Sequence, residues 1–266
     1  MSDMAVRGAR ALVADVLCVI DALSDQEWQA QSACPGWQVR DVITHLAAFF
    51  EMLADPAAFK PMTPDDSAEA ANEDIVAARR HHTIAQVRHD YRSWSTRGLE
   101  VLAALENPAI SNKVVCMGDI GSYPLSAMSE AVCFDHLCHV VLDLLEPRGP
   151  IVRARSPMDF VRLAPALDWM LRGLPTMSGP DLAAALDQPV MLELSGPGGR
   201  RMEIARAGAT EVRIAPAEAI SSEDIVYSDA EAFLAWATRR SSWRGLVRLS
   251  GDKNRLVRVL DRIRVV

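Results

Sequence analysis

Two titratable side chains stand where a helix should be apolar, and they constrain the fold more than any other feature of the chain. In the segment from Ser129 to Asp143, Asp135 and His139 are four residues apart. That spacing puts them on one helical face, about one turn from each other. The same face carries Met128, Ala131, Val132 and Leu142, so it should point into a core. A carboxylate and an imidazole placed there are costly unless something pairs with them. A divalent cation would do so, with His45 from a facing helix as the third ligand. Three protein ligands leave one coordination position open, the pattern of a catalytic rather than a structural site. The fold must then bring together two helices about ninety residues apart in sequence.

Each residue has a plainer reading. His45, beside Val42, Leu46 and Phe49, could be a satisfied core histidine, and Asp135 with His139 could be a surface pair at favourable spacing. Only the three together favour a metal site. His136 lies about 100° further round the helix, in a supporting or exposed position, and His136 with His139 is an alternative ligating pair at i, i+3. His81, His82 and His89 fall in a charged stretch and read as surface residues, with His82 able to line the mouth of a helical bundle. Cys133 and Cys138 read as buried small hydrophobes, Cys34 as structural, and Trp37 as packed between helix and loop.

Half of the 266 residues are hydrophobic, the net charge is −7 and the sequence pI is about 5.4. That balance argues against a nucleic-acid binder, which would show a basic stripe; the C-terminal excess of arginine reads as a solvated face. No apolar run approaches the ~20 residues needed to span a bilayer, so no membrane partner is expected. No basic segment followed by an apolar stretch opens the chain. The five cysteines are scattered without a Cys-x-x-Cys pair, which fits a reduced, cytoplasmic setting. The oligomeric state is left open between monomer and homodimer.

Apolar residues at helical spacing predict a helix from Met4 to Leu23 and another from about Gln38 to Leu53, separated by the breaker Cys34-Pro35-Gly36-Trp37. Ser24 and Glu27 have the form of a capping box. A long helix, with or without an interruption, is predicted over Ala68–Leu105, an irregular stretch over Asn107–Gly121, and a last helix over Pro124–Leu145, ended by Pro147-Arg148-Gly149-Pro150. Residues 1–150 thus describe a four-helix bundle. After a helical pattern at Ser156–Leu171, alternation begins at Pro189 and turns at Gly196-Pro197-Gly198-Gly199. With helices at Asp229–Arg239 and Asp252–Ile263 and a strand at Gly245–Leu249, residues 151–266 read as a smaller α+β domain. The fold class is a two-domain α+β chain.

Trp28 and the segment Cys34-Pro35-Gly36-Trp37-Gln38-Val39-Arg40-Asp41-Val42-Ile43-Thr44-His45-Leu46 resemble the opening of the mycothiol-dependent maleylpyruvate isomerase family, a branch of the DinB-like metalloproteins. Its C-P-G-W-x-V-x-D-x-x-x-H-L segment ends on a metal-binding histidine, here His45. The family's other ligands, a carboxylate and a histidine four residues later, match Asp135 and His139, although many members have glutamate at the first position. The family often has an aspartate three residues after that histidine, followed by P-x-G. Here Leu142 holds that place and Asp143 comes one later, before Pro147 and Gly149.

The resemblance implies a DinB-like bundle followed by a sterol-carrier-like domain. It also implies a divalent metal, zinc above all, at His45, Asp135 and His139, with mycothiol as co-substrate. Arg239 or Arg240, with Asp143, would contact that thiol, and Arg40, Arg79, Arg80 or Arg239 would hold an anionic substrate. The implied activity is metal-assisted attack of the thiol on a small electrophile, as a maleylpyruvate-type cis–trans isomerase or an S-transferase. The departures at Asp135 and Asp143 tilt the reading toward transfer. A non-catalytic metal- or lipid-binding protein of the same fold is the alternative.

Overall fold

The computed structural model describes residues 2–218 and 222–265, in two compact units that divide between Pro157 and Met158. The first is helical. Helix α1 (Ser2–Ala22) buries Ala5, Ala9, Leu12, Val13, Val16 and Ile20, as its periodicity requires. Ser24 and Glu27 close a capping box over the short α2 (Asp25–Trp28), whose Trp28 is fully buried. The chain then turns through Gly36, at φ 79°, a backbone setting that glycine adopts without cost. Asp41 accepts from the Gln38 amide at 2.9 Å and closes the first turn of α3 (Val39–Ala54).

The predicted long helix is two helices, α4 (Ala68–Arg79) and α5 (Ile84–Leu105). The break falls at Thr83 because its hydroxyl accepts from the Gln86 amide while the Gln86 side chain accepts from the Thr83 amide. The stretch predicted as irregular contains a small antiparallel hairpin, β1 (Val114–Cys116) and β2 (Ser122–Pro124). Its strands are three residues each, too short to show an alternation in sequence.

Helix α6 (Met128–His136) runs on without a break as a π-helical segment, Leu137–Leu144. Helix α3 packs on α5, α1 on α5 and α6, and α6 on α3. At the α3–α5 crossing a Cβ on Gly98 would stand 2.4 Å from Phe50 Cδ1, so glycine sets how closely the two helices approach. The expectation of no bilayer-length apolar run needs correcting. Leu125–Leu144 is long and apolar enough to cross a membrane, because a short 3₁₀ turn, α6 and the π segment join end to end. Most of it is buried inside the helical unit, so its apolar surface serves the core.

The second unit begins with α7 (Phe160–Ala185), which outruns its predicted end at Leu171 and kinks at Gly179, φ 50°. A five-stranded sheet follows: β3 (Val190–Ser195), β4 (Arg201–Arg206), β5 (Val212–Pro216), β6 (Ile225–Asp229) and, after α8 (Ala230–Ala237), β7 (Val247–Ser250). Helix α9 (Lys253–Leu260) comes last. The spatial order is β5-β4-β3-β6-β7, with β3 and β6 parallel and the other pairs antiparallel. Leu192 pairs with Met202 on one side and Val226 on the other, so the predicted alternation faces one apolar side. Strand β6 was not predicted. Its same-face residues are Val226 and Ser228, too few apolar positions to stand out, and its pairing with β3 defines it.

Candidate metal centre

Helix α3 places His45 one turn beyond the capping Asp41, among the fully buried Val42, Ile43 and Leu46. From α6 and its π-helical continuation come Asp135 and His139. His45 Nε2 lies 3.3 Å and His139 Nε2 3.4 Å from the same oxygen, Asp135 Oδ1. The two imidazole centroids are 4.9 Å apart and nearly perpendicular, at 77°. Those two separations suit one ion, and all three donor atoms lie within 4.8 Å of one another. Metal–ligand bonds of 2.0–2.1 Å at tetrahedral angles separate neighbouring donors by about 3.3–3.4 Å. Asp135 Oδ2 is buried and without a hydrogen-bond partner among the described residues, although an orphaned buried carboxylate oxygen is costly.

Electrostatics within the trio point the same way. Burial opposes ionisation of Asp135, but the facing His45 and the hydrogen bond from His139 outweigh it and hold the carboxyl well below the usual range. Burial likewise opposes charge on His139, yet Asp135, Asp143 and Cys34 outweigh it and hold its pKa well above the ordinary histidine value. The pocket thus prefers an anionic carboxylate and positive charge beside it, which a proton or a metal ion can supply.

The far edge of the His139 ring is held as well. Nδ1 donates to Asp143 Oδ2 at 3.0 Å, the carboxylate support that metal-binding histidines use to fix tautomer and orientation. Asp143 is buried, 2% exposed, and its Oδ2 also accepts from Cys34 Sγ at 3.1 Å. Trp37 forms one wall, with its ring 5.2 Å from His45 and 6.1 Å from His139. Its indole N–H donates to Glu73 Oε2 at 2.6 Å, and Glu73 pairs with Arg80 at 2.9 Å. His136 is not part of the centre. Its Nδ1 donates to Val132 O and its Nε2 accepts from Tyr91, both at 2.9 Å. Burial pulls its pKa to about 4, so it is a neutral core residue, neither exposed nor paired with His139 as a ligand.

Residues 9–139, a span that includes all three donors, match the family described as mycothiol maleylpyruvate isomerase N-terminal domain. The chain belongs to that family through its helical unit. Two solved structures share the fold over nearly the full length: the mycothiol-dependent maleylpyruvate isomerase and a histidine-to-alanine mutant of it. Each is 16% identical with a TM-score of 0.59, over 94% of this chain and 93% of the other. No curated protein matches the chain at the significance that those structures reach.

Asp143 follows His139 by four residues, and the backbone that joins them is π-helical. In an α-helix a residue four positions on leads by about 40°. A π turn holds more residues, so the same step falls short of a full turn instead. The chain runs π-helical from Leu137 to Leu144, and within it Asp143 Oδ2 lies 3.0 Å from His139 Nδ1. Asp143, expected as a contact for the thiol, lies buried behind His139. The run 135, 139, 143 was visible in the sequence, but the widened turn was not. Cys34 was read as structural; only the folded turn shows it against Asp143.

Of the arginines expected to hold an anionic substrate, Arg40, Arg79 and Arg80 are engaged elsewhere in the helical unit. Arg79 pairs with Glu51 at 2.8 Å, Arg80 with Glu73, and Arg40 donates to the carbonyls of Arg80 and His82. His82 pairs with Asp90 at 3.1 Å. Arg239 and Arg240 lie in the second unit, just past α8, where Arg239 donates to Asp261 O at 2.6 Å.

Proposed function

We propose that this protein is an enzyme that holds a divalent cation, zinc by the character of its donors, at His45, Asp135 and His139, and that it activates mycothiol for attack on a small electrophile. Two imidazoles and one carboxylate are a zinc-type donor set with a position left for substrate. The observation that carries the reading is the convergence of His45 Nε2 and His139 Nε2, from two helices, on one oxygen of the buried Asp135 carboxylate. When bound, the cation stabilises a thiolate at neutral pH beside an electron-poor carbon, where reversible addition gives cis–trans isomerisation and retained addition gives transfer.

The chain's own residues prepare that site. Asp143 fixes the His139 tautomer so that Nε2 presents a lone pair. Asp135, held ionised, reduces the net charge of a divalent site to about +1. Trp37 gives the centre an apolar wall and limits water. In this reading the helical unit is a DinB-like four-helix bundle, the second unit is sterol-carrier-like, and Arg239 and Arg240 grip the thiol. Isomerisation is the first reading, because the family match and the support of His139 by Asp143 agree with it.

The test combines metal analysis with turnover. Zinc-supplemented protein should bind about one zinc per chain and convert maleylpyruvate in the presence of mycothiol. His45→Ala should lose both. A retained thiol conjugate in place of isomerised product would assign S-transfer. Metal binding without turnover of any electrophile would leave a binding protein. No bound metal, or a His45→Ala variant equal to wild type, would refute the reading.

A further inference from the structure

We propose that Cys34 is a positioning residue of the metal centre: it holds Asp143 in the rotamer that orients His139, and it ties the turn before α3 to the helical segment that supplies two of the three donors. Its sulfur sits at the edge of the His139 ring away from the donors, 3.6 Å from Nδ1, while Nε2 faces Asp135. In this proposal Cys34 acts on the centre through Asp143 and the Nδ1 edge of His139, as a positioning residue and not as a ligand. Where it touches cation affinity, the inference rests on the function proposed above.

The Asp143 carboxylate is pulled two ways. Oδ2 receives the His139 Nδ1–H at 3.0 Å and the Cys34 S–H at 3.1 Å. Arg148 Nη2 lies 3.9 Å from Oδ1, too far for a hydrogen bond but near enough to attract a carboxylate. With the S–H in place, Oδ2 has two donors on the His139 side. Without it, rotation toward Arg148 costs one bond rather than two.

The turn is built to hold the sulfur still. The Ala33 amide donates to Asp143 O at 2.9 Å, a backbone tie between the turn and the π segment. Ser32 Oγ accepts from the Cys34 amide at 3.1 Å and donates to Trp37 O at 2.7 Å. Gln31 Nε2 donates to the carbonyls of Cys34 and Trp37 at 2.9 and 2.8 Å. Residues 31–37 are therefore closed on themselves, stapled to the His139 helix on one side and continuous with the His45 helix on the other.

Two readouts test this, one of them independent of any metal. In cation-free protein with ¹⁵N-labelled histidine, the His139 Nδ1–H should be observable and slow to exchange in wild type and Cys34→Ser. In Cys34→Ala it should exchange rapidly. Zinc affinity by chelator competition should fall about tenfold in Cys34→Ala, the low end of the range for an outer hydrogen-bond partner, and recover in Cys34→Ser. In an Asp143→Asn background Cys34→Ala should add less than about twofold. Cys34→Val keeps the bulk and replaces Cys34→Ala if that variant does not fold.

Wild-type values in both readouts for Cys34→Ala, or equal impairment of the alanine and serine variants, would overturn the proposal. So would a thiolate-to-cobalt band in the cobalt-substituted protein that disappears in Cys34→Ala, since it would make Cys34 a ligand. If the NMR result holds but wild type binds no zinc, the positioning role stands and the proposed function falls.

Discussion

Asp135 and His136 are neighbours in sequence with opposite electrostatic fates, and the difference lies in their partners. Asp135 faces two imidazoles and stays ionised despite burial. His136, 0% exposed, faces Tyr91 and a backbone carbonyl and stays neutral, with its pKa pulled to about 4. The stability consequence of His136 follows from linkage. The unfolded chain takes up the proton near pH 6.5 and the folded chain only near 4, so the unfolded state binds more protons between those values. The contribution is fully present above about pH 6.5 and is lost as pH falls toward 4, by about 3 kcal/mol. Urea unfolding at pH 7 and pH 4.5 should show that loss in wild type, and His136→Leu should flatten it. An unchanged slope in His136→Leu would show that other groups set the acid stability.

The π-helical segment decides the geometry at the level of elements, and it is where sequence reading ran out. Helices α1 and α3 were legible because their apolar residues recur at 3.6-residue spacing. His45, Asp135 and His139 stood out because polar residues interrupt that pattern on α3, α6 and the π-helical segment. Nothing in Leu137–Leu144 marks a wide turn, since its residues suit an α-helix equally well; the close of the segment shows what holds it. A Cβ on Gly149 would stand 2.1 Å from Leu144 C and 2.7 Å from Asp143 O. Gly149→Ala must therefore move the backbone that positions Asp143. The variant should lose about 1–3 kcal/mol in thermal or urea unfolding and bind zinc about tenfold more weakly. Wild-type zinc affinity in a measurably destabilised Gly149→Ala would separate the turn from the centre. Strand β6 and the length of α7 escaped for a related reason: tertiary pairing and packing define them, and local pattern does not.

Across the whole molecule, two units divide the work in the proposed function: the helical unit carries every donor, and the second carries Arg239 and Arg240. The variant Arg239→Ala/Arg240→Ala should keep its full zinc content and raise KM for mycothiol at least about tenfold, the loss of roughly one charge-assisted contact. An unchanged KM would assign the thiol grip to other residues. Periodicity had given the α+β order. The three residues stood out in the sequence because few core positions tolerate an unpaired carboxylate, and the structure brings them together. The central claim is that those three residues share one ion. Anomalous diffraction from a zinc-soaked crystal tests it most directly. The account predicts a single zinc peak within 2.0–2.2 Å of His45 Nε2, an Asp135 carboxylate oxygen and His139 Nε2; zinc bound elsewhere, or no peak between these helices, would contradict it.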